Sequence, residues 1–219
     1  MSFGRGIALF SFLLSLGTIL VMYYVGVEQG TAKACNPFLT GCTDITHAGM
    51  AGDAGFIFRG GLIAGCALFI IWWLIMHQWM SGRYNKILVG VQTFFAVIAC
   101  LGLLVATAVL VPESDQIPWG VHVRGANLFF LLHFFILAIN IGLLWYGKIK
   151  LNIHPPSLYF KSAMVLGIII VLMLFAGLII DSENNRTTNI SEWWATSFIA
   201  FYYLSGFLDW KNVKISVNN

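Results

Sequence analysis

The sequence predicts an all-α polytopic membrane protein with six transmembrane helices and both termini in the cytoplasm. Three observations lead to this prediction: the composition, the length of the apolar runs and the distribution of the basic residues. Of the 219 residues, 59% are hydrophobic and only 10% are charged, whereas a soluble domain carries about a quarter charged residues. We therefore expect residues 1–219 to form a single transmembrane domain.

The apolar residues form six runs that are separated by polar connections. Each run approaches or exceeds the roughly 18 to 20 residues that span the hydrocarbon layer of a bilayer. The first run follows Arg5 but is longer than the apolar region of a signal peptide, which has about 7 to 15 residues, so we interpret it as a retained helix. The predicted helices cover residues 6–27, 56–79, 87–111, 121–146, 163–180 and 190–208.

The basic residues predict the orientation of these helices. Most of them lie on the side of the predicted membrane that holds both termini, whereas Lys33 and Arg186 lie on the other side. Because cytoplasmic loops carry an excess of lysine and arginine, we place both termini in the cytoplasm. The acidic residues concentrate on the exoplasmic side, which we interpret as the working surface. The net charge of +3 provides no basic stripe of the kind that binds nucleic acid.

The longest connection, residues 28–55, is predicted to be an exoplasmic loop, and it contains Cys35 and Cys42. Two neighbouring cysteines in such a loop predict a disulfide, with two free thiols as the alternative. Cys66 and Cys100 lie inside predicted helices, where we expect them to pack as small apolar side chains.

Several polar residues lie inside or at the ends of the apolar runs, where they need a partner or a ligand. A guanidinium such as that of Arg59 costs roughly 2.5 to 3.5 kcal/mol at the centre of a bilayer. The fourth predicted helix carries His122 and Arg124 near its exoplasmic end, and Glu192 lies at the start of the sixth. His133, in the middle of the fourth helix, is interpreted as a hydrogen-bonded packing residue, with a ligand or a proton relay as the alternative.

Three parts of the chain, in this order, resemble the Frag/DRAM/Sfk family of six-helix membrane proteins, which includes the Golgi factor that remodels GPI-anchor lipids. These parts are Cys35 with residues 45–49 and 56–59, then residues 121–126, then residues 191–193 with 201–203 and Asp209. The resemblance implies an integral multi-pass protein of a plasma or bacterial inner membrane, or of a Golgi or lysosomal membrane. Family members are linked to GPI-lipid remodelling, phospholipid asymmetry, phosphoinositide signalling and autophagy, so the implied function concerns lipid.

The first functional hypothesis is a lipid-handling protein that acts in lipid remodelling. Its outer-leaflet polar cavity would bind the phosphate-bearing headgroup of a membrane lipid. We assign headgroup binding to Asp53, Arg59 and Arg124, because the planar donors of arginine can meet two phosphate oxygens at once.

If this protein is an enzyme, the catalytic residues are predicted to be His47, His122 and Glu192. Either histidine would act as the general base, oriented by Glu192 or by Asp53. The question of catalysis stays open, because the sequence contains neither a Gly-x-Ser-x-Gly nor a His-Glu-x-x-His motif. We expect no metal ion and no cofactor, since the candidate ligands His47, Asp53 and His122 are scattered along the chain.

The second hypothesis is a non-catalytic membrane adaptor, or a modulator of signalling or autophagy, that acts through membrane protein partners. Arg59 and Arg124 would then pair with Glu192 and Asp53 and hold helices together. An adaptor should tolerate Arg59→Gln or His122→Ala, whereas a lipid site should not. A transporter or channel is a third hypothesis, which is disfavoured because no inverted repeat is visible in the six runs.

Overall fold

A computed structural model of the protein describes residues 2–111, 115–178 and 185–211, and these residues form helices joined by loops. The helices are α1 Phe3–Glu28, α2 Pro37–Thr40, α3 Ile45–Ala48, α4 Gly52–Ser81, α5 Lys86–Ala108, α6 Gln116–Lys150, α7 Leu158–Leu178, α8 Asn185–Leu204 and α9 Gly206–Asp209. A long helix occupies each of the six predicted runs. Residues 179–180, the end of the fifth predicted helix, lie outside the described residues.

The helix ends differ from the predicted ones where polar residues extend a helix beyond its apolar run. Every long helix begins earlier than predicted, α5 by one residue and the others by three to five, and α6 also continues to Lys150. The sixth predicted run is divided at Ser205 into α8 and α9. Hydropathy marks the apolar part of a span, whereas the hydrogen-bonded helix includes its polar ends.

The apolar helices make this chain a polytopic all-α membrane protein. Within the described residues, α1, α4, α5 and α6 are each long and apolar enough to cross a membrane, and α7 contains a shorter apolar stretch over Leu158–Met173. Large apolar side chains such as Phe94, Leu131 and Phe135 are exposed on the outside of the bundle. An apolar exterior of this kind is suited to lipid rather than to water.

The six long helices form a closed ring in the order α1, α4, α5, α6, α7 and α8, because α8 packs back against α1. Small residues allow close approach within this ring. A Cβ atom added at Gly61 of α4 would lie 2.0 Å from the Thr18 hydroxyl of α1, and one added at Gly125 of α6 would lie 2.6 Å from the Gly102 carbonyl oxygen of α5. The neighbours α6 and α7 pack least extensively, which leaves a seam between them.

Buried polar groups in the middle of the bundle are hydrogen-bonded to one another. The Tyr203 hydroxyl accepts from Trp73 Nε1 and donates to His133 Nε2, both at 2.7 Å. The Tyr202 hydroxyl donates to Asn140 Oδ1 at 2.6 Å. His133 is therefore a hydrogen-bonded packing residue, as the sequence interpretation has it.

The two ends of the bundle can be named by what they carry. The terminal end holds the first and the last described residues, and there the Ser2 hydroxyl donates to the Trp210 carbonyl at 2.9 Å and Arg5 Nε donates to the Phe207 carbonyl at 3.0 Å. The loop end holds residues 29–51, which contain the Cys35–Cys42 disulfide.

The loop at this end is anchored on α8. Trp193 Nε1 donates to the Thr43 carbonyl at 3.0 Å, and Asn189 Nδ2 donates to the Gly41 carbonyl at 2.9 Å. Gly41 has a φ of 58°, and an added Cβ would lie 1.9 Å from the Arg186 carbonyl oxygen. Only glycine fits this position, so the loop sits in a fixed place above the bundle.

Candidate functional site

A cavity of about 470 Å³ opens at the loop end between α3, α6, α7 and α8. We call it the loop-end cavity. Its polar lining consists of Asp44, Thr46, His47, Trp119, His122, Asn127, Thr188, Asn189, Ser191 and Glu192. Its apolar lining consists of Val123, Ala126, Phe130, Val171, Leu172 and Ala195.

The polar and apolar residues lie at different depths. At 1.5 Å per residue, His122 is about 9 Å from the start of α6 and Glu192 is about 10 Å from the start of α8. Phe130 lies about 12 Å deeper than His122 along the same helix. Ala195 lies about 4 to 5 Å deeper than Glu192, whereas Val171 and Leu172 of α7 form an apolar side wall at about the level of Glu192. The cavity is therefore polar near the loop and apolar toward the centre of the bundle.

His122 is buried, with 5% of its surface exposed. Its Nδ1 lies 2.8 Å from the Ala106 carbonyl oxygen, which can only accept, so Nδ1 carries the hydrogen. The other ring nitrogen, Nε2, is then the acceptor in the neutral ring, and it lies 3.3 Å from the Thr46 hydroxyl oxygen. The backbone of α5 thus holds His122 in the tautomer that a general base requires.

His47 is oriented by Asp44. The Asp44 side chain caps α3 by accepting from the His47 backbone N–H at 2.6 Å, and its second oxygen lies 2.6 Å from His47 Nδ1. This carboxylate–imidazole pair is formed within four residues of the chain, because the N-cap position of a helix places its side chain over the third residue that follows. Asp44, rather than the expected Asp53 or Glu192, is the residue that positions His47.

Glu192 lines the cavity from α8 and lies near the Ile45 backbone N–H at the start of α3. It also borders a second, inner chamber of about 60 Å³ that lies behind the loop-end cavity. The two spaces share Thr46, His122 and Glu192 in their lining. The Thr196 hydroxyl lines the inner chamber and is buried without a hydrogen-bond partner among the described residues. Such a chamber is large enough to hold water.

The structure brings His47, His122 and Glu192 together, whereas the other three predicted site residues lie elsewhere. Asp53 is exposed and accepts from Gln29 Nε2 at 2.6 Å. Arg59 donates from Nη2 to the Leu110 carbonyl oxygen at 2.6 Å. Arg124 is exposed.

The expected convergence of six side chains therefore does not extend to Asp53, Arg59 and Arg124. The first two belong to α4, which packs between α1 and α5 and does not border the cavity. Arg124 is two positions from His122 on α6, which is about 200° around the helix. When His122 faces inward, Arg124 must face outward.

Sequence reasoning missed seven residues of the polar lining: Asp44, Thr46, Trp119, Asn127, Thr188, Asn189 and Ser191. Asp44 could have been found, because an aspartate three residues before a histidine is a helix-capping pattern. The remaining six carry no local signal, since they reach the cavity only through the packing of α3, α6 and α8 around it. Within the described residues, no group of three or more His, Cys, Asp or Glu side chains is placed to hold a metal ion.

The family model for the Frag1/DRAM/Sfk1/Cwh43P N-terminal domain matches residues 4–213. The chain belongs to this family. The match covers all six long helices, so this member is an integral multi-pass membrane protein, in agreement with the resemblance seen in the sequence. Comparisons with curated proteins and with solved structures returned no match.

Proposed function

We propose that this family member is a lipid-handling membrane protein whose loop-end cavity receives a phosphate-bearing lipid headgroup from the outer leaflet. The observation that carries the proposal is the depth profile of the cavity, which is polar beside His122 and Glu192 and apolar farther along the same two helices, beside Phe130 and Ala195. A lipid has the same profile, with a polar headgroup at the interface and acyl chains below it.

The proposal includes six membrane spans with both termini in the cytoplasm. The terminal end carries Arg5, Arg83, Lys148 and Lys161, and its excess of basic residues favours the cytoplasmic side. The loop end, with its disulfide, then faces the exoplasmic side, where disulfides persist. This orientation places the cavity in the outer leaflet.

A lipid can reach the cavity through the seam between α6 and α7. These two helices pack least extensively of all neighbours in the ring, and Val123, Val171 and Leu172 line the cavity beside the seam. Acyl chains can therefore remain beside the apolar side chains while the headgroup turns inward.

The phosphate is proposed to meet neutral donors rather than the arginines. Asn127, Thr188 and Ser191 line the polar part of the cavity and supply amide and hydroxyl hydrogens. Arg59 donates to the Leu110 carbonyl oxygen, and among the described residues it forms no ion pair with Asp53 or Glu192, the pairs that the adaptor hypothesis predicts. If the bound lipid undergoes a reaction, His122 Nε2 is the atom placed to take a proton.

The test fills the cavity without removing a polar group. Ala126 lines the cavity, whereas Ala138 lies on the exposed face of the same helix. We expect Ala126→Trp to lose most of the lipid that the native protein retains through gentle detergent purification, as measured by mass spectrometry. Ala138→Trp, the matched control, should retain it.

Both tryptophan variants must have a native-like melting temperature for the comparison to be valid. Ala126→Ser, which changes the side-chain volume at the same position much less, is the reference for the effect of filling the cavity. Equal lipid retention by the native protein and a folded Ala126→Trp variant would contradict the proposal. That result would favour the adaptor hypothesis and direct the search toward protein partners.

A further inference from the structure

The Thr46 hydroxyl lies 3.3 Å from His122 Nε2, and this is its only hydrogen bond among the described residues. Because His122 Nδ1 donates to the Ala106 carbonyl oxygen at 2.8 Å, Nε2 of the neutral ring has to accept. The Thr46 hydroxyl is consequently the donor, and its hydrogen is directed at a base. An alcohol, a histidine that accepts from it and a third group that orients the histidine form the arrangement of an activated nucleophile.

A second threonine–histidine contact in the described part of the chain shows that this direction is not a general property of such pairs. The Thr93 hydroxyl donates to the Val89 carbonyl oxygen at 2.9 Å, so it can only accept from His77 Nδ1, which lies 3.1 Å away. The histidine in that pair therefore cannot take the threonine proton. Thr46 differs because it gives its hydrogen to the imidazole rather than to the backbone.

The Thr46–His122 pair lies where the loop-end cavity meets the inner chamber, since both residues line both spaces. The ring of Trp119 stacks on that of His122, with a centroid distance of 5.1 Å and an interplanar angle of 20°, and this contact holds the imidazole in place. A ligand can thus approach the pair from the loop-end cavity. The inner chamber, on the other side, is large enough to hold water.

We propose that Thr46 is the nucleophile of an acyl-transfer site, with His122 as its general base and a carboxylic ester of a membrane lipid as its substrate. The inference rests on the proposed function and names the reaction of the same cavity. In a glycerolipid, the acyl esters join the polar headgroup region to the apolar chains. Thr46 and His122 occupy the corresponding level of the cavity, between its polar lining and the deeper Phe130.

The reaction needs no reactant other than the lipid ester and water. Thr46 Oγ1 attacks the ester carbonyl carbon while its proton passes to His122 Nε2. The bond from that carbon to the glycerol oxygen then breaks, and the oxygen takes the proton from Nε2, which releases a lysolipid and leaves an acyl ester on Thr46. Water attacks this ester and gives a proton to Nε2. The fatty acid leaves, and Thr46 Oγ1 recovers the proton.

The test detects the acyl group on Thr46 itself. The native protein is placed in nanodiscs of ether-linked phospholipid, which contains no acyl ester, and is mixed with p-nitrophenyl octanoate. The reaction is stopped with acid during the first turnover, and mass spectrometry of the chain and its peptides locates the octanoyl group. We expect this group on Thr46. His122→Gln, whose amide can still donate to the Ala106 carbonyl, should slow its formation by about a hundredfold to ten-thousandfold, the usual contribution of a general base.

Three threonine variants make the assignment specific. Thr46→Ser keeps a hydroxyl and should carry the octanoyl group on the new side chain, whereas Thr46→Val keeps the shape and should carry none. Thr93→Val is the matched control, because it removes a hydroxyl that contacts a histidine but does not donate to it. It should leave labelling of Thr46 at the native rate. Each variant is compared at a native-like melting temperature.

A second measurement uses lipid as the acyl donor. In nanodiscs that contain equal amounts of ester-linked phosphatidylcholine, phosphatidylethanolamine and phosphatidylglycerol, the native protein should release fatty acid and lysolipid. Thr46→Val should release neither, although it should retain as much lipid through gentle detergent purification as the native protein does.

The outcomes separate this inference from the function on which it rests. Absence of the octanoyl group from Thr46 of the native protein would overturn the acyl-transfer site, and lipid retained by the same preparation would leave lipid handling in place. Release of fatty acid at the native rate by a folded Thr46→Val variant would also overturn it. Absence of any retained lipid would contradict the proposed function itself.

Discussion

The charged side chains at the two ends of the bundle differ in burial and in the partners that surround them. At the terminal end, Lys161 and Asp209 form an ion pair at 2.5 Å in which both side chains are fully buried. Ser157 completes it, donating to Asp209 from its backbone N–H at 3.1 Å and from its hydroxyl at 2.6 Å. At the loop end, Asp44 pairs with the exposed His47 at 2.6 Å, and Glu192 lines a cavity that has no lysine or arginine among its described lining residues.

The comparison separates charges that hold the fold from charges that remain available to a ligand. Lys161 also lies 5.7 Å from the ring centroids of Trp72 and Tyr202, so its charge is surrounded by partners. This cluster joins the start of α7 to α9 and closes the terminal end. The open arrangement at the loop end contributes little to stability, which is what a binding site requires when its ligand is absent.

The largest expected effect on stability comes from breaking the ion pair between Lys161 and Asp209 at the terminal end. Asp209→Asn leaves the Lys161 ammonium buried without its counterion, and removal of one partner of such a pair typically costs about 3 to 5 kcal/mol. We expect a marked loss of stability, measured as the free energy of unfolding in a mild detergent.

Two further variants show whether this loss comes from the unpaired charge. The double variant Lys161→Met with Asp209→Leu should recover much of the stability, because it removes both charges. The exposed Asp53→Asn should change stability by no more than about 0.5 kcal/mol. A small effect of Asp209→Asn alone would mean that Lys161 reaches water, and the contrast between the two ends would fail.

Sequence reasoning predicts what is local in this protein and misses what depends on packing. The six runs are visible because hydropathy is a property of consecutive residues, and the disulfide is predicted from two cysteines in one loop. The position of Arg59 relative to His122 depends on the order of helices around the ring, which one sequence does not reveal. The partner of His122, the Ala106 carbonyl, is a backbone group and has no sequence signature.

Arg59 and Arg124 were correctly identified as unusual residues. Their assignment to one phosphate site was wrong, because the sequence contains no evidence that they lie close together. Arg59 and Arg124 attract attention because a cation in an apolar run is costly. In the structure Arg59 Nη2 donates to a backbone carbonyl while its Nε is buried without a partner among the described residues, and Arg124 is exposed. The residues that line the cavity are less conspicuous in sequence, since Thr46 and Trp119 are ordinary at a membrane interface.

An intermediate effect is expected from the disulfide, which supports the loop end only. Cys35 and Cys42 are seven positions apart, and for a closed loop of this size the chain-entropy relation gives about 2 to 3 kcal/mol. We expect Cys35→Ser with Cys42→Ser to lower the free energy of unfolding of the loop by up to this amount. Hydrogen exchange measured by mass spectrometry should show faster exchange in residues 29–51 and unchanged exchange around Lys161 and Asp209.

The control for this prediction is the buried pair Cys66→Ala with Cys100→Ala, which removes two thiols from the bundle and leaves the loop intact. Equally fast exchange at both ends of the Cys35→Ser, Cys42→Ser variant would show that the loop stabilises the whole bundle. The two ends could then no longer be treated as independent.

The smallest effect on stability is expected at Glu192. This variant is the most direct test of the difference between the two ends of the bundle. Glu192→Gln removes a carboxyl group that lies near Asp44 and His47, while its amide oxygen can still accept a hydrogen bond in the same place. Because the change relieves repulsion rather than breaking a pair, the free energy of unfolding should change by less than about 1 kcal/mol, with a gain as the expected sign. Asp209→Asn makes the same chemical change, from a carboxylate to an amide, but it is expected to lower the free energy of unfolding. If Glu192→Gln were as destabilising as Asp209→Asn, Glu192 would have to be a partner that holds the fold, and the loop-end cavity would lose its role as a site kept open for a lipid headgroup.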